Sequence, residues 1–207
     1  LALYKPRGYV TTTSDERGRK TVMDLLADYP ARVFPVGRLD KDSEGLLLLT
    51  NDGDFANLMM HPSHGVSKLY RVTVRPRAEE SQVIALSKGV QLDDGAVTQP
   101  AVINVVVDEP GRTVLEMTIK EGKNRQIRRM CEAVGLEVVR LRRSAVGAVK
   151  LGMLQPGQYR PLAKSELVAL RAAAQKGKAR AVTQEQQERA VQTRQRSPRR
   201  RPARGAK

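Results

Sequence analysis

The chain has 207 residues, with 37 Lys plus Arg against 22 Asp plus Glu and a formal charge of +15. That length buries one sizeable core and leaves too little for two full-sized domains and a tail. A composition 40% hydrophobic and 29% charged excludes a wholly disordered chain, no apolar run nears the roughly 20 residues of a bilayer span, and the lone Cys131 excludes an internal disulfide.

In chain order, Leu1 to Tyr4 reads as a strand running into the Lys5-Pro6-Arg7-Gly8 turn. Thr21 caps a short helix, with Asp24 three positions on, Val22, Leu25 and Leu26 facing inward, and Pro30 as the stop. Gly45-Leu46-Leu47-Leu48-Leu49-Thr50 is a continuous apolar run between turn residues, the pattern of a strand covered on both faces. Asn51-Asp52-Gly53 turns the chain into a helix from Asp54 to Met60, stopped by Pro62. Leu69 to Val74 alternates as a strand, residues 78–88 form a helix, and strands follow at 101–107 and 113–120. From Asn124 to Val134 a helix carries the apolar stripe Ile127, Met130, Cys131 and Val134, with Arg125, Arg128, Arg129 and Glu132 on another face. Three arginines near a helix N-terminus oppose its dipole unless a carboxylate or an anion lies against them. These segments follow no regular β-α-β rhythm, so the fold class is α+β rather than doubly wound.

Residues 171–207 hold 12 Lys plus Arg and 2 acids, so most of the excess charge sits there. This segment has few apolar residues larger than alanine, and disorder is expected beyond about Lys176. The organisation read from this is a folded unit over 1–170 and a basic tail over 171–207 that binds polyanions by counterion release. The N-terminus lacks the charged-then-apolar layout of a secretory signal, so the protein is expected in the cytosol. His61 and His64 form a surface turn, and no metal is expected.

The phosphate-cradling Gly-x-x-x-x-Gly-Lys-Ser/Thr and Gly-x-Gly-x-x-Gly patterns are absent, as are the zinc protease and zinc deaminase signatures. What remains is Gly37-Arg38-Leu39-Asp40, then Lys41-Asp42-Ser43-Glu44, leading into the buried strand. Taken alone, such an aspartate is usually a cap or a solvated loop residue.

The run Gly37-Arg38-Leu39-Asp40 followed by Gly45 to Gly53 resembles the catalytic loop of the RsuA-like ribosomal-RNA pseudouridine synthases. Lys5-Pro6-Arg7-Gly8, Lys68-Leu69-Tyr70-Arg71-Val72 and Glu121 to Met130 are similar to that family in the same order, as are Leu141-Arg142-Arg143 and Gly157 to Leu162. The resemblance spans roughly residues 1–165. It implies the pseudouridine synthase fold, a mixed and mainly antiparallel bent sheet flanked by helices with a central active-site cleft. It also implies that a uridine in ribosomal RNA is isomerised without metal or organic cofactor.

Within that resemblance Asp40 is the catalytic aspartate, Arg128 its partner, and Tyr70 the ring that stacks on the uracil; Tyr70 also fits plain core packing with Val72 and Val74. An ordinary Asp is ionised at neutral pH and needs placement rather than activation. Leu141 resembles the family's apolar residue lining the pocket, and also fits plain core packing. Contacts to RNA fall to Lys5, Lys68, Lys123, Arg125 and Arg129, and Arg38 is expected to fill the stack that a flipped uridine vacates. Family members commonly carry an S4-type RNA-binding domain ahead of the catalytic one, and a longer protein trimmed at its N-terminus is expected.

The Asn124 to Met130 form and Met60-His61-Pro62-Ser63 look most like the large-subunit branch, making 23S rRNA the expected partner of a monomer; a 16S rRNA enzyme is the alternative. Rival readings are a ribosome-assembly protein that has lost catalysis, and a metal-dependent nuclease using Asp40, Asp42 and Glu44. The second lacks another acidic cluster.

Overall fold

The four leucines Leu46 to Leu49 have no polar face to offer water, and they are buried in the middle of a nine-stranded sheet. The computed structural model describes residues 1–196. Its strands are β1 (Ala2–Lys5), β2 (Phe34–Val36), β3 (Glu44–Thr50), β4 (Lys68–Arg75), β5 (Val102–Glu109), β6 (Arg112–Ile119), β7 (Glu137–Val146), β8 (Val149–Lys150) and β9 (Tyr159–Arg160). The helices are α1 (Gly53–Met60), α2 (Glu80–Lys88), α3 (Gln126–Ala133) and α4 (Lys164–Arg196). Strands run in the order β5-β6-β4-β7-β3-β1-β9, with β2 on β3 and β8 on β7. Among the described residues β3–β7 is the parallel pairing between strands, and the rest are antiparallel. This is the α+β class expected from the sequence, with the mixed, mainly antiparallel sheet that the resemblance implies.

Side chains alternate across a strand, so β3 feeds two cores. Leu47 and Leu49 face Val72, Leu115 and Met117 under Leu86 of α2 and Met130 of α3. Leu46 and Leu48 face Phe55 and Met59 of α1 and Leu170 of α4. Each buried leucine contributes about 1.5–3 kcal/mol relative to exposure. Around this frame the local signals act as read. Thr21 and Asp24 form a reciprocal cap, with the Asp24 carboxylate accepting from the Thr21 amide at 2.7 Å. The turn they start, Val22–Leu26, is a 3-10 helix and ends before Pro30. Asp52 caps α1 by accepting from the Phe55 amide at 2.9 Å.

The C-terminal expectation is corrected. Rather than disordering past Lys176, the chain forms one helix from Lys164 to Arg196, and the boundary expected between 170 and 171 falls inside it. Leu170 and Ala174 are fully buried against the second core. One face further along, the Gly177 backbone rests on the main chain of residue 64, where a Cβ would come within 1.7 Å of the His64 carbonyl oxygen. Those contacts supply the nucleus, and an Ala-, Gln-, Lys- and Arg-rich sequence has the intrinsic propensity to propagate from it. Residues 197–207, the rest of the expected tail, lie outside the described residues. His64 is likewise not a surface residue: it is buried, and its Nδ1 lies 2.7 Å from the Leu58 carbonyl. Among the described residues no helix is long and apolar enough to cross a membrane.

Candidate active site

The loop from Gly37 to Ser43 joins β2 to β3, and the chain from Lys5 to Thr11 holds it from one side. The Thr11 hydroxyl donates to the Leu39 carbonyl at 2.7 Å and accepts from the Leu39 amide at 3.2 Å. The Gly8 amide donates to the Lys41 carbonyl at 2.7 Å. Lys5, with no exposed surface, donates from Nζ to the carbonyls of Pro6, Asp40 and Ser43 at 3.1, 2.9 and 2.7 Å. Leu39 is buried, whereas its neighbours Arg38 and Asp40 reach the surface. The loop is therefore anchored at its apolar residue and main chain, and none of these bonds uses the Asp40 carboxylate.

Asp40 lines a cleft of about 550 Å³ together with Asp42 and five cations: Arg7, Arg19, Arg38, Lys41 and Arg125. That excess of positive charge around one loop draws in a polyanion. Arg38 is exposed at the rim, where stacking or phosphate contact is open to it.

The pairing expected between Asp40 and Arg128 is not the one formed. Arg128 Nη2 lies 3.2 Å from Asp42 Oδ2, and Nη1 donates to the Val138 carbonyl at 3.0 Å. Arg125 reaches Asp40 instead, with Nη1 3.7 Å from Oδ2, and lies 3.3 Å from Asp42. Arg125 is the residue at the N-terminal cap of α3 and has φ 45°; it is the one non-glycine residue with positive φ among the described residues. This left-handed turn costs about 1–2 kcal/mol. Arg128 sits deeper in the helix, where Asp42 and the β7 main chain take up its donors. The burial that disfavours its charge is opposed by Asp42 and, more weakly, by Asp40. Carboxylates do lie against all three α3 arginines, since Arg129 pairs with Asp93 and Asp94. That resolves the unfavourable dipole placement.

Other expected RNA contacts also have protein partners. Lys123 donates to the Val97 carbonyl at 2.8 Å and lies 3.4 Å from Glu121. Lys5 is corrected from an RNA contact to a buried tie beneath the loop, because three carbonyls enclose its ammonium. Lys68 is half-buried, donates to the Val66 carbonyl at 3.2 Å and is therefore not an open surface contact. Burial, with Arg143 nearby, lowers the Lys68 pKa to about 8 from 10.5. The unfolded chain then holds a proton that the folded chain lacks between those two values, so this group makes stability rise with pH in that window. Lys68→Met is expected to gain stability over the natural chain below pH 8, with the gap closing as pH rises to 10. Denaturant melts across that range check this, and a gap independent of pH contradicts it.

Leu141 is buried in the first core, as is Tyr70, and Val72 and Val74 beside them are fully covered. Tyr70 is nonetheless more than packing. Its hydroxyl accepts from Arg143 Nη1 at 3.4 Å, and the Arg143 guanidinium carbon lies 6.0 Å from the ring centroid. The same Nη1 donates to the Arg38 carbonyl at 3.4 Å, which brings Tyr70 to the foot of the Asp40 loop. Arg7, Arg19 and Lys41 line the cleft and Arg143 ties Tyr70 to the loop, and none of the four was expected there from the sequence. Arg143 carried a usable signal, because alternation from Leu141 puts it on the buried face of its strand.

Residues 1–133 match the family model for RNA pseudouridylate synthase. The chain belongs to that family. It is 43% identical over 178 residues to ribosomal large subunit pseudouridine synthase B of Bacillus subtilis, covering 85% of this chain and 72% of that protein. It is 42% identical over 171 residues to an uncharacterised RNA pseudouridine synthase of Aquifex aeolicus, covering 82% and 68%. A crystal structure of a pseudouridylate synthase superposes with a TM-score of 0.75 at 36% identity, covering 82% of this chain and 72% of that one. The sheet described above is thus the pseudouridine synthase fold, and the protein is an isomerase of that class.

Proposed function

We propose that this pseudouridine synthase isomerises a uridine of large-subunit ribosomal RNA, with Asp40 as the catalytic carboxylate. The observation that carries the reading is the placement of Asp40, on a loop tied down by its main chain, in a cleft ringed by five cations. The similarity to the Bacillus subtilis large-subunit enzyme supports the choice of RNA. In the reaction the N1–C1′ bond breaks, the uracil turns, and C5 bonds to C1′ while the C5 hydrogen leaves to water as a proton and N1 takes up a proton from water. Atoms balance without oxidant, donor group or metal. A stacked uridine exposes none of these atoms, so it turns out of the helix at a cost of a few kcal/mol. Arg38 at the rim is the group to occupy its place, and Tyr70 the ring to meet the extruded base. An enzyme on this substrate works in the cytosol, where ribosomal RNA is made.

Transcripts of 23S and 16S rRNA carrying tritium at uridine C5 test the reading. Release of about one equivalent from the 23S transcript and none from 16S is the expected result. Release from 16S alone would overturn the large-subunit assignment, and release from neither would overturn the activity.

The basic C-terminal segment gives a separate prediction. Ending the chain after Gly177 keeps the buried contacts of α4 but removes ten Lys and Arg against two acids. The shortened protein is expected to melt within a few degrees of the full chain and to bind the transcript with a flatter dependence on salt. An unchanged slope in filter binding from 50 to 300 mM salt would show that the segment takes no part.

A further inference from the structure

Arg143 is almost wholly buried, at 4% exposure, and among the described residues no carboxylate lies within ion-pair distance of it. Its hydrogen bonds go to the Leu46 carbonyl from Nε at 2.6 Å, and from Nη1 to the Arg38 carbonyl and the Tyr70 hydroxyl. Burying an unpaired guanidinium costs several kcal/mol, and apolar side chains of similar volume commonly stabilise such positions. The neighbouring inward positions of β7 are in fact apolar, Leu141 and Ala145. Packing therefore gives no reason for a charge here.

We propose that Arg143 is a positioning residue for the reaction: one guanidinium ties the carbonyl just before Leu39-Asp40 to the Tyr70 hydroxyl, holding carboxylate and ring in a single register. This rests on the roles given above to Asp40 and Tyr70. Three features make it specific. The planar fork reaches three acceptors on three different segments, the loop, β3 and β4, which an ammonium on a flexible stem cannot hold at fixed angles. Arginine only donates, so the Tyr70 oxygen must accept, and the phenolic proton is turned away from Arg143. Among the described residues that proton has no acceptor, which leaves it for the incoming base. Finally, the backbone of Arg143 is pressed against Gly45, where a Cβ would come 2.3 Å from the Arg143 carbonyl oxygen, so the start of the side chain is fixed by the β3–β7 pairing.

The test is a double-mutant cycle of Arg143→Lys and Tyr70→Phe, measured by single-turnover tritium release from the 23S transcript. Arg143→Lys is expected to slow turnover about 100-fold, the cost of a misplacement of about 1 Å, with RNA affinity within twofold. In the Tyr70→Phe background the same change is expected to cost less than about threefold, because coupled residues are not additive. An equal loss in both backgrounds, or weakened RNA binding at an unchanged rate, would overturn the proposal in favour of a purely structural cation or a phosphate contact. Thermal melts run alongside; if Arg143→Lys does not fold, Arg143→Gln takes its place in the cycle. Arg142→Lys, on the opposite face of the same strand, is expected to leave the rate unchanged, and a matching 100-fold loss there would also overturn it. Asp40→Asn on the same RNA reports on the parent reading separately: full activity in that variant removes the role of Asp40 whatever the cycle gives.

Discussion

Asp40→Asn is expected to lose pseudouridine formation by at least about a thousandfold, the scale seen when a nucleophile or its direct partner is removed. The change is isosteric and reaches little of the fold. The loop is held through the carbonyls of Arg38, Leu39, Asp40, Lys41 and Ser43, none of which the side chain provides. Among the described residues the carboxylate pairs with one side chain, Arg125 at 3.7 Å, in a partly exposed pair worth at most about 1 kcal/mol. The melting temperature and the RNA affinity, within a few fold, are therefore expected to stay close to those of the natural protein. Tritium release checks the rate and filter binding the affinity. A variant that binds poorly would instead make Asp40 a recognition residue, and one that turns over normally would remove it from the chemistry.

Gly45→Ala is expected to have the largest effect on the fold. Gly45 opens β3 with φ 108°, a conformation that L side chains rarely adopt, and lies against β7 at the parallel pairing of Gly45 with Arg143. A Cβ there would come 2.3 Å from the Arg143 carbonyl oxygen and 2.7 Å from its amide nitrogen. Both are backbone atoms, so no side-chain rotation relieves the clash. The strained φ and the forced separation of β3 from β7 together cost about 3 kcal/mol or more, which lowers the melting temperature by roughly 6–12 °C in a chain of this size. Activity is expected to fall further than stability alone explains, because the shifted residue carries the Arg143 guanidinium with it. A melting temperature within 2 °C of the natural chain would contradict this.

The sequence carried local information well. The apolar run of β3, the Thr21–Asp24 cap and the α3 stripe each follow from spacing that the chain cannot disguise, and each appears where it was read. Asp40 and Tyr70 were found by resemblance and the α3 arginines by spacing; of these Arg125 lies 3.7 Å from Asp40, and Tyr70 meets the Asp40 loop only through Arg143. What was not legible was the fate of charges. Lys5 and Arg143 look like surface residues, yet both are buried because main-chain carbonyls 35 and 105 residues away, those of Asp40 and Arg38, close around them. No periodicity reports such long-range acceptors. The exchange of partners on α3, Arg128 to Asp42 and Arg125 toward Asp40, goes with one left-handed residue, Arg125, and is equally invisible in one dimension. Strand β7 was missed because its arginines interrupt the apolar alternation. Helix α4 was missed for the opposite reason: few large apolar residues suggested disorder, whereas Leu170 and Ala174 were enough to seat it.

Asp40 is expected to make pseudouridine at a defined place in large-subunit RNA. Carbodiimide mapping of 23S rRNA from cells lacking the gene, from those cells given the natural protein back, and from those given Asp40→Asn, tests this directly. One reverse-transcription stop is expected to vanish with the gene, to return with the natural protein and to stay absent with the variant. A stop pattern identical in all three, or restored by Asp40→Asn, would contradict the account.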